Sequence, residues 1–253
     1  MNKLLIGHSH EVLNTVDSTN TYLKSLTKER NLQEGYLVST FYQTLGRGQF
    51  GNTWDSKKGE NMLLSVLLHP QWLSPGYFFY LNMSVCLSVL DTIAYFISGA
   101  QVKWPNDIWF GKRKLAGILI ENQMMHTGID QSIVGVGLNV NQEFDDDSYA
   151  TSLKRIAGVK IEITEVINVF CKKLDERYKA LKEERDFTFL KEKYLNHLYG
   201  NNQPVPVFYK GRRDNIRIID VKEDGRLVAV SAEGNKVIFN FKEVVFYSQS
   251  SAT

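Results

Sequence analysis

The spacing of hydrophobic and polar positions changes along the chain, and each change predicts an element. Tyr22, Leu23 and Leu26 share one side of a short helix that Ser18 or Thr19 can cap. Gly35 closes that region. Tyr36 to Gln43 is rich in β-branched and aromatic residues and predicts a strand. Leu45 to Asn61 is polar, with glycines at 46, 48, 51 and 59, and predicts a loop. Met62 to His69 is an apolar strand. Tyr77 to Ser98 is long and apolar enough for a buried helix. Short segments follow at Val102 to Trp104, Ile108 to Phe110, Lys114 to Glu121 and Ile133 to Asn141. With turns at Pro-Asn-Asp and Gly-Lys between them, they predict consecutive antiparallel strands of one sheet. Asp147 to His197 turns helical, with Val166, Phe170, Leu174, Tyr178 and Leu181 recurring at about one helical turn. Gly200-Asn-Asn-Gln-Pro is a break. Val205 to Tyr247 then alternates, with turns at Lys210-Gly, Glu223-Asp-Gly and Glu233-Gly-Asn.

The pattern predicts an α+β architecture. A mixed, largely antiparallel sheet flanked by helices occupies residues 1–200, and a small β domain occupies 201–253. Composition narrows the class. The 253 residues are 43% hydrophobic and 23% charged, which excludes disorder, collagen and coiled coil. A core of this size needs no disulfide or metal staple. Thirty Lys+Arg against 28 Asp+Glu leave a net charge of +2, too balanced for a dedicated duplex-DNA binder. Cys86 and Cys171 lie far apart, as reduced core residues of a cytoplasmic protein would. Leu4 to Ile6 is too short a run for a signal peptide. Asn82, Ser84, Ser88 and Asp91 interrupt the most apolar stretch, which argues against a membrane span. Scattered histidines without HExxH argue against structural zinc.

Gly46-Arg-Gly48-Gln-Phe-Gly51 has the GxGxxG form of a dinucleotide fingerprint. That fingerprint needs a helix to open behind it and an acidic residue about twenty positions on. Here the loop runs into another strand, and no acidic residue occurs from Asn61 to Leu90. A plain flexible hairpin would explain the glycines, but not Arg47 and Trp54. Glycines let backbone N–H groups approach an anion, and a Trp in such a loop can stack on a base. Two basic segments follow, Lys103-Trp-Pro-Asn106-Asp107 and Lys114-Leu-Ala-Gly117-Ile. The first could be a simple turn and the basic run Lys112 to Lys114 a solvated hairpin tip. In Gly135-Val-Gly137-Leu-Asn139 two glycines sit inside an apolar strand. They imply either a bulge or backbone packed flush against a ligand, with Asn139 as a polar tooth.

Ser18-Thr19-Asn20, Gln43 with Gly46-Arg47-Gly48, and the three segments just named resemble, in order and spacing, the motifs of biotin protein ligases. The resemblance runs from about residue 12 to residue 247. It implies a catalytic domain related to class II aminoacyl-tRNA synthetases and a C-terminal SH3-like barrel. With only residues 1–16 ahead of Asp17, it implies the monofunctional type without a DNA-binding domain. The implied reaction activates biotin with Mg·ATP as biotinyl-5′-adenylate. A lysine of a biotin carboxyl carrier domain then attacks the anhydride; homodimers are common in the family.

Carboxylate and α-phosphate about 4 Å apart repel by about 4 kcal/mol at an effective dielectric of about 20, so fixed cations are needed. By the resemblance, Lys114 is the central cation, Lys103 a phosphate contact and Arg47 an organiser of the loop. Ser18, Thr19, Asn20, Gln43, Gly46, Gly48, Gln49, Gly117, Gly135 and Gly137 join Lys114 and Arg47 around biotin. Trp54, Asn106, Asp107, Lys103 and Asn139 serve the nucleotide. Asn106 and Asp107 hold phosphate, ribose or metal, with Asp107 the candidate for Mg²⁺. Many family members carry Arg where Gln49 and Asn52 stand. Lys57, Lys58 or a basic residue of the C-terminal barrel would compensate; a leakier enzyme is the competing expectation. Two rival functions are a lipoate or octanoate enzyme of related fold and a non-catalytic binding module. No Arg-Arg/triple-Gly segment favours the first, and the two lysines argue against the second.

Overall fold

The computed structural model describes residues 4–125 and 128–246. Its first half holds β1 (His10–Leu13), α1 (Thr19–Glu29), β2 (Leu37–Thr40), β3 (Asn61–Leu68), α2 (Phe78–Ala94), β4 (Ala100–Lys103), β5 (Asp107–Phe110), β6 (Arg113–Met125) and β7 (Gly128–Asn139). Three helices follow, α3 (Leu153–Ala157), α4 (Ile163–Glu183) and α5 (Phe187–Asn196). The chain then forms β8 (Pro204–Tyr209), β9 (Arg212–Val221), β10 (Leu227–Val230), β11 (Lys236–Phe239) and β12 (Val245–Phe246).

Seven strands form one sheet in the order β1-β2-β3-β7-β6-β5-β4. Only β1 and β2 run parallel; the other pairs are antiparallel, and short hairpin connections join β4 to β5, β5 to β6 and β6 to β7. The strand β1 was not expected from sequence. It is a four-residue edge strand whose half-exposed positions carry little pattern. The central strand β3 is buried throughout, because Met62, Leu64, Val66 and Leu68 join the main core while Leu67 packs with Leu23 of α1. Burial on both faces accounts for its unbroken apolar run.

The apolar helix α2 is a core helix. Pro75–Ala94 is long and apolar enough to cross a membrane by length and composition alone, but 78% of its apolar window is buried inside the fold. Two of its small polar side chains are satisfied within the helix, Ser88 donating to the Ser84 carbonyl and Thr92 to the Ser88 carbonyl. The expected helical stretch after Asp147 contains three helices. Ser152 caps α3, whose end is set by Gly158 in the left-handed region, and Asp186 caps α5.

The C-terminal strands form an antiparallel five-stranded sheet in the order β11-β10-β9-β8-β12. It turns at the glycine positions expected from sequence; Tyr247, where the barrel was expected to end, lies outside the described residues. This sheet is welded to the first. Trp104 donates from Nε1 to the Gly225 carbonyl at 2.8 Å and stacks on Phe241 at 5.3 Å, and one buried hydrophobic cluster runs through both sheets.

Candidate active site

The site grows out of the strand register. Ser65 of β3 stands opposite Gly135 of β7, and Gly135 stands opposite Leu119 of β6; one step along, Leu63, Gly137 and Gly117 form the next row. Residues two apart share a face. Residues 63 and 65, 135 and 137, and 117, 119 and 121 therefore line the same side of the sheet. The ladder is regular through both β7 glycines, so they are not a bulge. What they admit is protein. A Cβ on Gly135 would meet Asn20 Oδ1 at 2.3 Å, and one on Gly137 would meet Trp54 Cε2 at 2.5 Å. A Cβ on Gly117 would lie 3.0 Å from Trp54 and 3.2 Å from the Lys114 stem. The expected flush ligand contact is thus occupied in part by the Asn20 amide and the Trp54 indole, and these side chains present the surface to the cavity.

The glycine-rich loop closes over this floor. It contains one 3₁₀ turn at Gln49–Gly51, with Phe50 in the left-handed region, and continues to β3 without a helix. The dinucleotide fingerprint is therefore excluded on geometry. The loop is held as a small hairpin by Trp54 N–H donating to Gly46 O at 2.9 Å and Gly48 N–H to Asn52 O at 2.7 Å.

A cavity of about 250 Å³ lies between floor, loop and C-terminal sheet. It is lined by most of the residues singled out from sequence: Ser18, Thr19, Asn20, Gln43, Arg47, Gly48, Gln49, Trp54, Lys103, Asn106, Asp107, Lys114, Gly117, Gly135 and Gly137. Two are corrected. Gly46 is not among the lining residues; it shapes the loop, since a Cβ there would strike the Trp54 carbonyl at 2.2 Å. Asn139 is buried outside the cavity and donates to the Thr151 carbonyl at 3.0 Å, because the 149–151 segment crosses over the end of β7. It ties that segment down and touches no ligand space.

One end of the cavity is a neutral polar network. Ser18 occupies the N-cap position of α1 without making a side-chain cap bond. Thr19 N–H donates to Gln43 Oε1 at 2.8 Å, which leaves Gln43 Nε2 as a donor. Ser65 lies 2.8 Å from Thr19 Oγ1 and 2.6 Å from Asn20 Oδ1. Asn20 Nδ2 donates to Glu121 at 2.9 Å, and Arg47 clasps the same carboxylate at 3.1 Å and 3.4 Å.

The other end is cationic. Lys103 closes β4 and faces Asp107 across the tight Trp104–Asn106 turn. Asn82 Nδ2 and Tyr194 Oη both donate to the Pro105 carbonyl at 2.9 Å, which fixes that turn. Asn106 donates one amide hydrogen to the Ile118 carbonyl, which orients the side chain and leaves its second N–H and its Oδ1. Lys114 pairs with Asp107 at 2.7 Å, and its backbone is pinned between Tyr149 and Thr151. Lys103 Nζ lies 3.9 Å from the centre of the Trp109 ring. Burial pushes the Lys103 ammonium down to about 8; Asp107 opposes that shift and Lys114 adds to it.

Sequence reasoning missed Glu121 and Ser65, and it foresaw from the C-terminal sheet only an unspecified basic residue. Period-two counting from Gly117 places Glu121 on the cavity side, and that was the available signal. Phe241, Lys242 and Phe246 also line the cavity. Lys242 donates to the Phe50 carbonyl at 3.3 Å and lies 4.6 Å from the Phe50 ring. It is the basic residue of the C-terminal sheet that reaches the loop; Lys57 and Lys58 do not line the cavity.

A family model described as the biotin/lipoate A/B protein ligase family matches residues 12–139. The chain is 29% identical over 243 residues to the bifunctional ligase/repressor of Bacillus subtilis, covering 91% of this chain and 71% of that one. It is 35% identical over 139 residues to the bifunctional ligase/repressor of Escherichia coli, covering 54% of this chain and 42% of that one. It is 27% identical to the biotin–[acetyl-CoA-carboxylase] ligase of Mycobacterium tuberculosis, covering 93% of this chain and 88% of that one. Among solved structures, the biotin protein ligase of Aquifex aeolicus in complex with biotin and ATP superposes with a TM-score of 0.77 at 28% identity, covering 94% of this chain and 98% of that one.

Proposed function

This chain belongs to the biotin/lipoate A/B protein ligase family, and we propose that it joins the biotin carboxylate to the α-phosphate of ATP, releasing pyrophosphate and forming biotinyl-5′-adenylate, and then passes the acyl group to a lysine of a biotin carboxyl carrier domain. One observation carries the reading. A single cavity has a neutral donor-and-acceptor network at one end and Lys103 and Lys114 at the other. The first end suits a ureido ring, which needs both donors and acceptors. The second suits the place where a carboxylate and an α-phosphate must meet.

Lys114, at the cationic end, offsets the repulsion of the reacting anions, which is positioning and charge stabilisation rather than covalent catalysis. Lys103 holds phosphate. Asp107 keeps the Lys114 ammonium in place in the free enzyme. Mg²⁺ enters as part of the nucleotide substrate. Asp107 is the one carboxylate among the cavity-lining residues, and a nucleotide-borne Mg²⁺ needs only one or two protein carboxylates beside its phosphates. No group of three His, Cys, Asp or Glu side chains that could hold a resident metal occurs among the described residues. In the second step the acceptor amine displaces AMP from the acyl carbon, forming the amide. The unpaired edge of β1 is the carrier's docking edge in this reading, because the chain leaving it runs beside Gln43 at the cavity.

The test is biotin-dependent exchange of labelled pyrophosphate into ATP by the wild type and by Lys114→Ala. Exchange that requires biotin and falls by about 10²–10³ in the variant is the expected result. Biotin binding without exchange would replace ligation by simple binding, and exchange with lipoate or octanoate alone would reassign the substrate.

A further inference from the structure

The hydrogen bonds from Glu121 to Thr19 have a direction, and counting protons gives it. Asn20 Nδ2 donates to Glu121 Oε2 at 2.9 Å and to the Leu119 carbonyl at 3.3 Å. Neither acceptor carries a proton, because Glu121 is ion-paired with Arg47. The Asn20 amide therefore cannot be turned over, and its Oδ1 must accept. The group beside it is Ser65 Oγ, at 2.6 Å. A serine hydroxyl has one proton. With that proton on Asn20, the 2.8 Å contact between Ser65 and Thr19 is made by the Thr19 proton. Gln43 Oε1 is then satisfied by Thr19 N–H at 2.8 Å, and the longer 3.1 Å approach of the Thr19 hydroxyl goes unused. Thr19 Oγ1 is left with lone pairs alone for a ligand.

We infer that Glu121, which touches no substrate, is a specificity-determining positioning residue. Through Asn20 and Ser65 it holds Thr19 Oγ1 as a hydrogen-bond acceptor, so this end of the cavity selects a ligand that brings an N–H there. A ureido ring does; a fatty acyl chain or a dithiolane does not. A site built around such a bond discriminates strongly against the analogue lacking it. The inference rests on the biotin reading above and adds the origin of its selectivity. The strand register makes the relay possible, because Gly135 alone leaves room for the Asn20 amide between Ser65 and Leu119.

Biotin affinity without nucleotide, measured by calorimetry, tests it in wild type, Glu121→Met, Glu121→Gln, Ser65→Ala and the Glu121→Met/Ser65→Ala double variant. Glu121→Met removes both acceptor oxygens and keeps the length of the side chain. It and Ser65→Ala should each raise the biotin Kd by about tenfold, the scale of one hydrogen bond. The double variant should be no worse than either single one, because both cut the same relay. Glu121→Gln keeps an oxygen for Asn20 and should recover most of the loss. The KM for ATP at saturating biotin should stay within about twofold of wild type throughout, on the same scale.

An unchanged Kd in Glu121→Met overturns the inference. So does a Glu121→Gln as impaired as Glu121→Met, which would place the effect in the Arg47 clasp, and so do additive losses in the double variant. Melting curves identify a variant that fails to fold, in which case Ser65→Ala and Glu121→Gln decide. A wild type that does not bind biotin overturns the ligase reading and this inference with it; a wild type that binds and an unaffected variant overturn the inference alone.

Discussion

The partly buried ammonium of Lys103 ties nucleotide binding to pH. Its neighbours are the Trp109 ring at 3.9 Å and the Phe246 ring at 5.8 Å, and burial brings its pKa down to about 8. Phosphate binding needs the charged form. The apparent affinity for ATP should therefore fall with the protonated fraction, as 1 + 10^(pH − 8). That is about 11-fold at pH 9, or about 1.4 kcal/mol, with little change below pH 7. Lys103→Arg removes the titration, because a guanidinium stays charged across this range. The assay is the KM for ATP in biotin-dependent pyrophosphate exchange, from pH 6.5 to 9.5, for both proteins. Unfolding does not imitate the effect. The folded pKa lies below the unfolded value, so between about pH 8 and 10.5 the unfolded chain binds the extra proton and this group makes stability rise with pH. A flat wild-type profile, or a Lys103→Arg profile that rises like the wild type, would refute the reasoning.

Other residues give separate tests. Lys242→Met takes away the cation that the C-terminal sheet extends to the loop, and the KM for ATP should rise by about fivefold to tenfold with the biotin Kd unchanged; Lys242→Arg should restore it. Gly137→Ala drives a methyl into the Trp54 indole, where the new carbon would lie 2.5 Å from Cε2. Overpacking of this kind costs about 1–3 kcal/mol, visible as a lower melting temperature and a shifted tryptophan emission. Trp104→Phe keeps the stack on Phe241 but strands the buried Gly225 carbonyl. A loss of about 1–3 kcal/mol is expected, and calorimetry should show the melting temperature falling by about 2–4 °C per kcal/mol.

Much of the site was legible along the chain because its parts are local. The glycines of the loop, the Lys103–Asp107 turn and the Lys114 strand each announce themselves by composition and spacing. The strands apart from β1 were legible by alternation or, for β3, by an unbroken apolar run. Where reading failed, the missing quantity was a partner distant in sequence. Gly135 and Gly137 looked like ligand-facing backbone, and only packing shows Asn20 and Trp54 filling the space above them. Asn139 has the right parity for the cavity face, yet the 149–151 crossing covers it.

The sequence by itself determined most of the elements, the α+β class, the loop in place of a dinucleotide helix, and the two lysines, because hydrophobic period, turn chemistry and side-chain charge belong to the local chain. The tertiary structure decided the rest. Strand register set Ser65, Gly135 and Leu119 in one row and put Glu121 within reach of Asn20 and Arg47. Docking of the second sheet carried Lys242 to Phe50, across 192 positions of sequence. Such meetings depend on which surfaces bury each other, a property of the folded whole that no window of residues contains.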